Sequence, residues 1–180
     1  RIMKQETNAA TTTLEQVNAM PAATWGWLKM NQTKLELSDE LAAAPAETIE
    51  VEGLDEQFSG AADAFGTAMD AMAEHSTKRI GIDVPADQHA TLTVRVSGVD
   101  AAAAIAAIDI VARPQATLDL HIALDSPVTG EGVVGSVLRV CAHEYATVNV
   151  TCTQTLDDSW IALDDTGLFL DEGSRGNVQH

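Results

Sequence analysis

Two cysteines and five histidines are the residues of this 180-residue chain best suited to hold a metal or move a proton. In Cys141-Ala142-His143 the thiol and the imidazole are two positions apart, so on a strand they share one face, with Glu144 adjacent. Both are zinc ligands, but zinc takes three or four and an iron–sulfur cluster usually four. The inward pattern of Leu138 and Val140 puts Cys141 and His143 outward, where a partner protein could complete a site; a surface cysteine beside a loop histidine is the plain alternative. His180 is the third candidate metal ligand. Cys152 reads as a small core hydrophobe, His121 as part of a polar surface network with Asp119, and His75 and His89 as surface residues. Gly-Lys-Ser/Thr, Gly-x-Ser-x-Gly, His-Glu-x-x-His and Cys-x-x-Cys are all missing, so no catalytic residue is assigned.

What must position these side chains is a repeat. From Lys78 onward the hydrophobic period is two, and four segments align without gaps: Ala90-Thr91-Leu92-Thr93-Val94-Arg95-Val96, Ala116-Thr117-Leu118-Asp119-Leu120-His121-Ile122, Ala146-Thr147-Val148-Asn149-Val150-Thr151-Cys152 and Ser174-Arg175-Gly176-Asn177-Val178-Gln179-His180. Their starts are 26, 30 and 28 residues apart, and each follows a polar or Pro-containing turn. Further strands lie between them, at about 105–111 and 133–140. Turn, strand, turn, strand at nearly constant length is the pattern of a parallel β-helix, each coil burying its inward side chains on the next.

Alternation then assigns faces. The inward ladders are Leu92/Leu118/Val148, Val94/Leu120/Val150 and Val96/Ile122/Cys152/His180; the outward ones are Thr93/Asp119/Asn149/Asn177 and Arg95/His121/Thr151/Gln179. Alanine-rich 100–108 favours a helix by propensity, but the repeat requires a strand there.

The first 79 residues read as a separate α/β arm. Residues 48–53 alternate as a half-exposed strand closing on Gly53, and Phe58, Phe65, Met69 and Met72 recur at helical spacing, which predicts an amphipathic helix over 57–75. Residues 36–56 are acidic, most simply a solvated face. Trp25 and Trp27 are expected to pack this arm against the core.

Composition limits the function. The chain is 46% hydrophobic and 21% charged, which excludes a disordered chain. Its longest uncharged apolar run, 101–108, falls far short of the roughly 20 residues of a membrane helix. With 27 acidic against 10 basic residues the formal net charge is −17, which repels nucleic acid and anionic membrane surfaces. Two cysteines and no secretion-signal pattern point to the cytoplasm. A start at Arg1 and an end at His180 in mid-pattern suggest a fragment of a longer protein.

The segment Asn18-Ala19-Met20-Pro21-Ala22-Ala23-Thr24-Trp25-Gly26-Trp27-Leu28-Lys29-Met30-Asn31, followed by Leu35, resembles the N-terminal motif of the SufB/SufD family, on its SufD branch. There a Pro precedes a Thr-Trp pair, a second aromatic and a hydrophobic-basic-hydrophobic-Asn run. Leu163-Asp164-Asp165-Thr166-Gly167-Leu168-Phe169-Leu170-Asp171-Glu172-Gly173, ending in Val178-Gln179-His180, is similar to the middle of the SufD core. The resemblance implies a right-handed parallel β-helix core, truncated here, and a scaffold rather than an enzyme. It also implies SufB and the ATPase SufC as partners, in a complex that assembles iron–sulfur clusters, with no cofactor bound directly by this chain. The family's interface and cluster-assembly residues lie largely in later coils, and its SufC-docking region is a C-terminal helical segment, so neither role is carried onto residues here. Two other classes use the same fold: polysaccharide lyases or hydrolases, which need clustered acids or bases on one outward ladder, and β-helical adhesins. An open last coil is also expected to self-associate end to end.

Overall fold

A computed structural model describes residues 11–14, 35–38, 42–53 and 75–180, and the period-two alternation after Lys78, with a turn every nine to eleven residues, folds into stacked coils. Strands β1 (Thr11–Leu14) and β2 (Leu35–Ser38) form an antiparallel pair. After the short β3 (Ala42–Ala43) come β4 (Ile49–Glu52), β5 (Lys78–Val84), β6 (His89–Ser97), β7 (Ala102–Ala112) and β8 (Thr117–Asp125). β9 (Gly132–Ala142), β10 (Thr147–Thr155), β11 (Trp160–Leu170) and β12 (Arg175–Gln179) complete the chain. The backbone divides into a unit of residues 1–42 and a unit of residues 43–180. The second contains β4, whereas the expected N-terminal arm extends to residue 79. The helix expected at 57–75 and the tryptophans at 25 and 27 lie outside the described residues.

The second unit is a parallel β-solenoid. β5, β7, β9 and β11 stack as one sheet, β6, β8, β10 and β12 as another, with all these pairings parallel; β4 adds to β6 antiparallel. The alternation read at 48–53 is present in β4, where Ile49 is buried, Glu50 and Glu52 are exposed, and Gly53 turns the chain at φ +82°. The alanine-rich run is strand β7, not helix. Its side chains are buried on both faces between β5 and β9, so stacking outweighs helix propensity.

The coils are joined on one side by four-residue turns that stack as regularly as the strands. Within each, the fourth N–H donates to the first carbonyl: Gln88 to Pro85, Ala116 to Arg113, Ala146 to His143 and Ser174 to Asp171, at 3.0 to 3.2 Å. The third residue is left-handed in all four, namely Asp87, Gln115, Tyr145 and Gly173. Only Gly173 meets that geometry without side-chain strain, and its open face lies against the Tyr145 ring, where a Cβ would come within 2.5 Å. These turns also bond to one another, Asp87 N–H to Pro114, Gln115 to Glu144 and Tyr145 to Glu172.

Register differs from the sequence alignment in the first repeat. His89 is level with Thr117, Thr117 with Thr147, and Thr147 with Arg175, so the offsets are 28, 30 and 28 residues rather than 26, 30 and 28. The inward ladders are therefore Ala90/Leu118/Val148/Gly176, Leu92/Leu120/Val150/Val178 and Val94/Ile122/Cys152. Outward, Thr91 rather than Thr93 precedes Asp119, and Thr93 rather than Arg95 is level with His121. The similar Ala-Thr-Leu beginnings at 90 and 116 mislead the alignment, while the turns at 85–88 and 113–116 fix the register. A slip of two residues preserves every face, so the inward assignment holds for all the named residues except His180, which follows β12 and is exposed.

Between the sheets lies a nearly apolar interior of Ile82, Val84, Leu92, Val94, Ile108, Ile110, Leu118, Ile122, Leu124 and Leu138 with smaller residues, stacked at about 4.8 Å intervals. The other face of β7 and β9 is buried as well. There Ala107 and Val137 are the buried same-face neighbours, two positions along β7 and β9, of the ion pair of Asp109 and Arg139, in which Arg139 Nε and Nη2 donate to the two carboxylate oxygens at 2.6 and 3.0 Å.

Candidate functional site

At the last coil the apolar interior turns polar. Ala106, Ser136 and Asp164 are stacked neighbours on β7, β9 and β11, and on the facing sheet Val94 and Ile122 are followed by Cys152. The even positions of every coil point inward because the offsets of 28 and 30 are both even. Asp164 is thus directed between the sheets, with its side chain 11% exposed.

Asp164 is the centre of the group. Its Oδ1 accepts from the Ser136 hydroxyl at 3.1 Å, and its Oδ2 accepts from the Cys152 thiol at 3.1 Å. The same Oδ2 lies 3.2 Å from His180 Nδ1. The His180 side chain is 58% exposed, so it forms the solvent side of a pocket of groups whose other members are buried or nearly so. The Cys152 sulfur, an Asp164 oxygen and a His180 nitrogen all lie within 4.8 Å of one another. Burial, followed by the hydrogen bond to Asp164, pushes the Cys152 thiol up to about 12. At neutral pH it is therefore a protonated donor and not a thiolate nucleophile. On the other face of β11, burial and the nearby Asp164 charge raise the Asp165 carboxyl.

Cys141 and His143 do not join this group. Cys141 is half-buried between Val111 and Phe169, and burial followed by the Asp171 charge raises its thiol. His143 occupies the following turn, with Nδ1 at 3.9 Å from Asp171. Of the three candidate ligands read from the sequence, only His180 belongs to a three-donor group among the described residues. Sequence reasoning placed Cys152 and His180 in one ladder but passed over Asp164 and Ser136. Aligning 160–170 on 132–142 at the 28-residue offset brings that pair together.

The outward ladders are self-satisfied. His89 Nε2 lies 2.7 Å from Asp119 Oδ2, Asn149 donates its amide to Asp119 Oδ1 at 2.7 Å, and Asn177 donates to Asn149 at 2.7 Å. The Asn149 amide, with His89, holds the Asp119 carboxyl below its ordinary range. His121 pairs with Thr153 rather than with Asp119, and Arg95 with Asp125. Arg113 binds Asp83 through Nε and Nη2 at 2.9 and 2.6 Å, and its pKa is raised by that contact.

Among the described residues no helix is long and apolar enough to cross a membrane. No protein-family profile, curated protein or solved structure matches the chain.

Proposed function

We propose that this chain is a non-catalytic scaffold of the SufB/SufD type, working with SufB and SufC in iron–sulfur cluster assembly in the cytoplasm. The observation that carries the reading is the parallel β-solenoid itself, the fold that the Pro21-to-Asn31 motif implies through the family it resembles. In this reading the cluster is the cargo of the assembled complex. No described strand pairs with β11 or β12 on the side away from β9 and β10, and Phe169 is 56% exposed there, with Ile161 and Leu170 also exposed. That edge has strand backbone with which a further strand, of this protein or of a partner in the assembly, would pair.

The carbohydrate-enzyme reading has less support. Paired glycosidase carboxylates stand roughly 5 to 9.5 Å apart. Asp119 and Asp125 of β8 are separated by six residues, roughly 20 Å of strand. Asp119 is held by Asn149 and His89, and Asp125 by Arg95. Deleting the gene is expected to lower the activity of iron–sulfur enzymes in the source cell without changing growth on polysaccharides. The reverse pattern, normal iron–sulfur enzymes and impaired polysaccharide use, would contradict the scaffold reading.

A further inference from the structure

We propose that Cys152, Asp164 and His180 form a binding site for one divalent transition-metal ion of zinc's class. The site is independent of the scaffold reading, and either can fail alone. A thiolate, a carboxylate and an imidazole are the mixed sulfur, oxygen and nitrogen donors that zinc and cobalt(II) accept. In a tetrahedral site with bonds of about 2.0–2.3 Å, donor atoms stand roughly 3.3–3.8 Å from one another. Here Sγ to Oδ2 is 3.1 Å, Oδ2 to Nδ1 is 3.2 Å, and all three donors fall within 4.8 Å, so small side-chain rotations suffice.

The surroundings fit the assignment. The Ser136 hydroxyl holds the far oxygen of Asp164, an outer partner that orients a ligating carboxylate. Cys152 is fixed in the stack above Ile122, and three protein donors leave a fourth tetrahedral position for water or another ligand. In the two preceding coils the level of Asp164 carries Ser136 and Ala106 and that of Cys152 carries Ile122 and Val94, so none of the three donors recurs there. On binding, Cys152 Sγ bonds to the metal and its proton leaves to solvent, while the carboxylate and neutral imidazole donate lone pairs.

Titrating the reduced, metal-free 180-residue chain with Co²⁺ tests this. The expected result is one equivalent bound, with four-coordinate visible bands and a sulfur-to-cobalt charge-transfer band, both bleached by Zn²⁺. Cys152→Ser should abolish the charge-transfer band, and Asp164→Asn and His180→Gln should each weaken binding by roughly tenfold or more. Cys141→Ser should leave spectrum and affinity unchanged. His180 is exposed, so its replacement reads the site even if a buried variant fails to fold. A titration without the charge-transfer band, a band that survives Cys152→Ser or vanishes in Cys141→Ser, or unchanged affinity in His180→Gln would overturn the proposal.

Discussion

Replacing Arg139 by Met is expected to lower the stability of the solenoid by about 3–5 kcal/mol, because it leaves the Asp109 carboxylate buried without its partner. Asp109 is 8% and Arg139 4% exposed, and they meet in a two-pronged contact between neighbouring coils. Exchanging both residues is a different matter. The pair Asp109→Leu with Arg139→Met also removes the uncompensated carboxylate, and its stability is expected to exceed that of the single Arg139→Met variant. Urea denaturation of the single and double variants measures both. A single Arg139→Met variant as stable as the parent would mean that the pair is open to water in solution, contrary to the burial of both side chains.

Leu120→Ala should cost about 2–5 kcal/mol, the usual range for emptying a filled apolar position. Leu120 is 2% exposed in the ladder Leu92/Leu120/Val150/Val178. The same residue tests the register. Leu120 stands directly over Leu92, whereas the spacing of the sequence repeats sets it over Val94. Double-mutant cycles are expected to give a coupling of about 0.5–3 kcal/mol between Leu120→Ala and Leu92→Ala and a smaller one with Val94→Ala. The opposite order would restore the 26-residue offset.

These two sites also show what the amino-acid order reveals. The alternation after Lys78 and the recurring turns are local signals, and they are sufficient for the coils and for the inward and outward faces. They decide β7 as well, because a run of alanines in helical isolation has no neighbours, whereas in a repeat Ala103, Ala104 and Ala107 lie against Val133, Val134 and Val137 of the next coil. Register is harder to read. Sliding a strand by two residues changes which side chains touch while leaving every face intact, so apolar patterning barely distinguishes 26 from 28.

Arg139 within Val137-Leu138-Arg139-Val140 is a charge in an apolar strand and so demands a partner. Asp109 lies one 30-residue offset upstream, but it is recognisable only once the strands between the aligned segments are themselves put in register. Asp164 is hidden in the sequence for the same reason. In Leu163-Asp164-Asp165 the two carboxylates look alike, and only the parity of β11 sends the first between the sheets and the second to the other face. The grouping of Cys152 with His180 is legible because both stand at the seventh position of their aligned segments, 28 residues apart. The carboxylate that joins them comes from the facing sheet, which no single repeat describes.

The scaffold assignment is tested most directly by affinity capture. A tag is fused in the chromosome to the gene that encodes this chain, the product is isolated from source cells under native conditions, and SufB and SufC are quantified in the eluate against an untagged strain. The expected result is strong enrichment of both, in near-constant ratio to the tagged protein. Recovery of the tagged protein with neither SufB nor SufC above background would contradict the assignment.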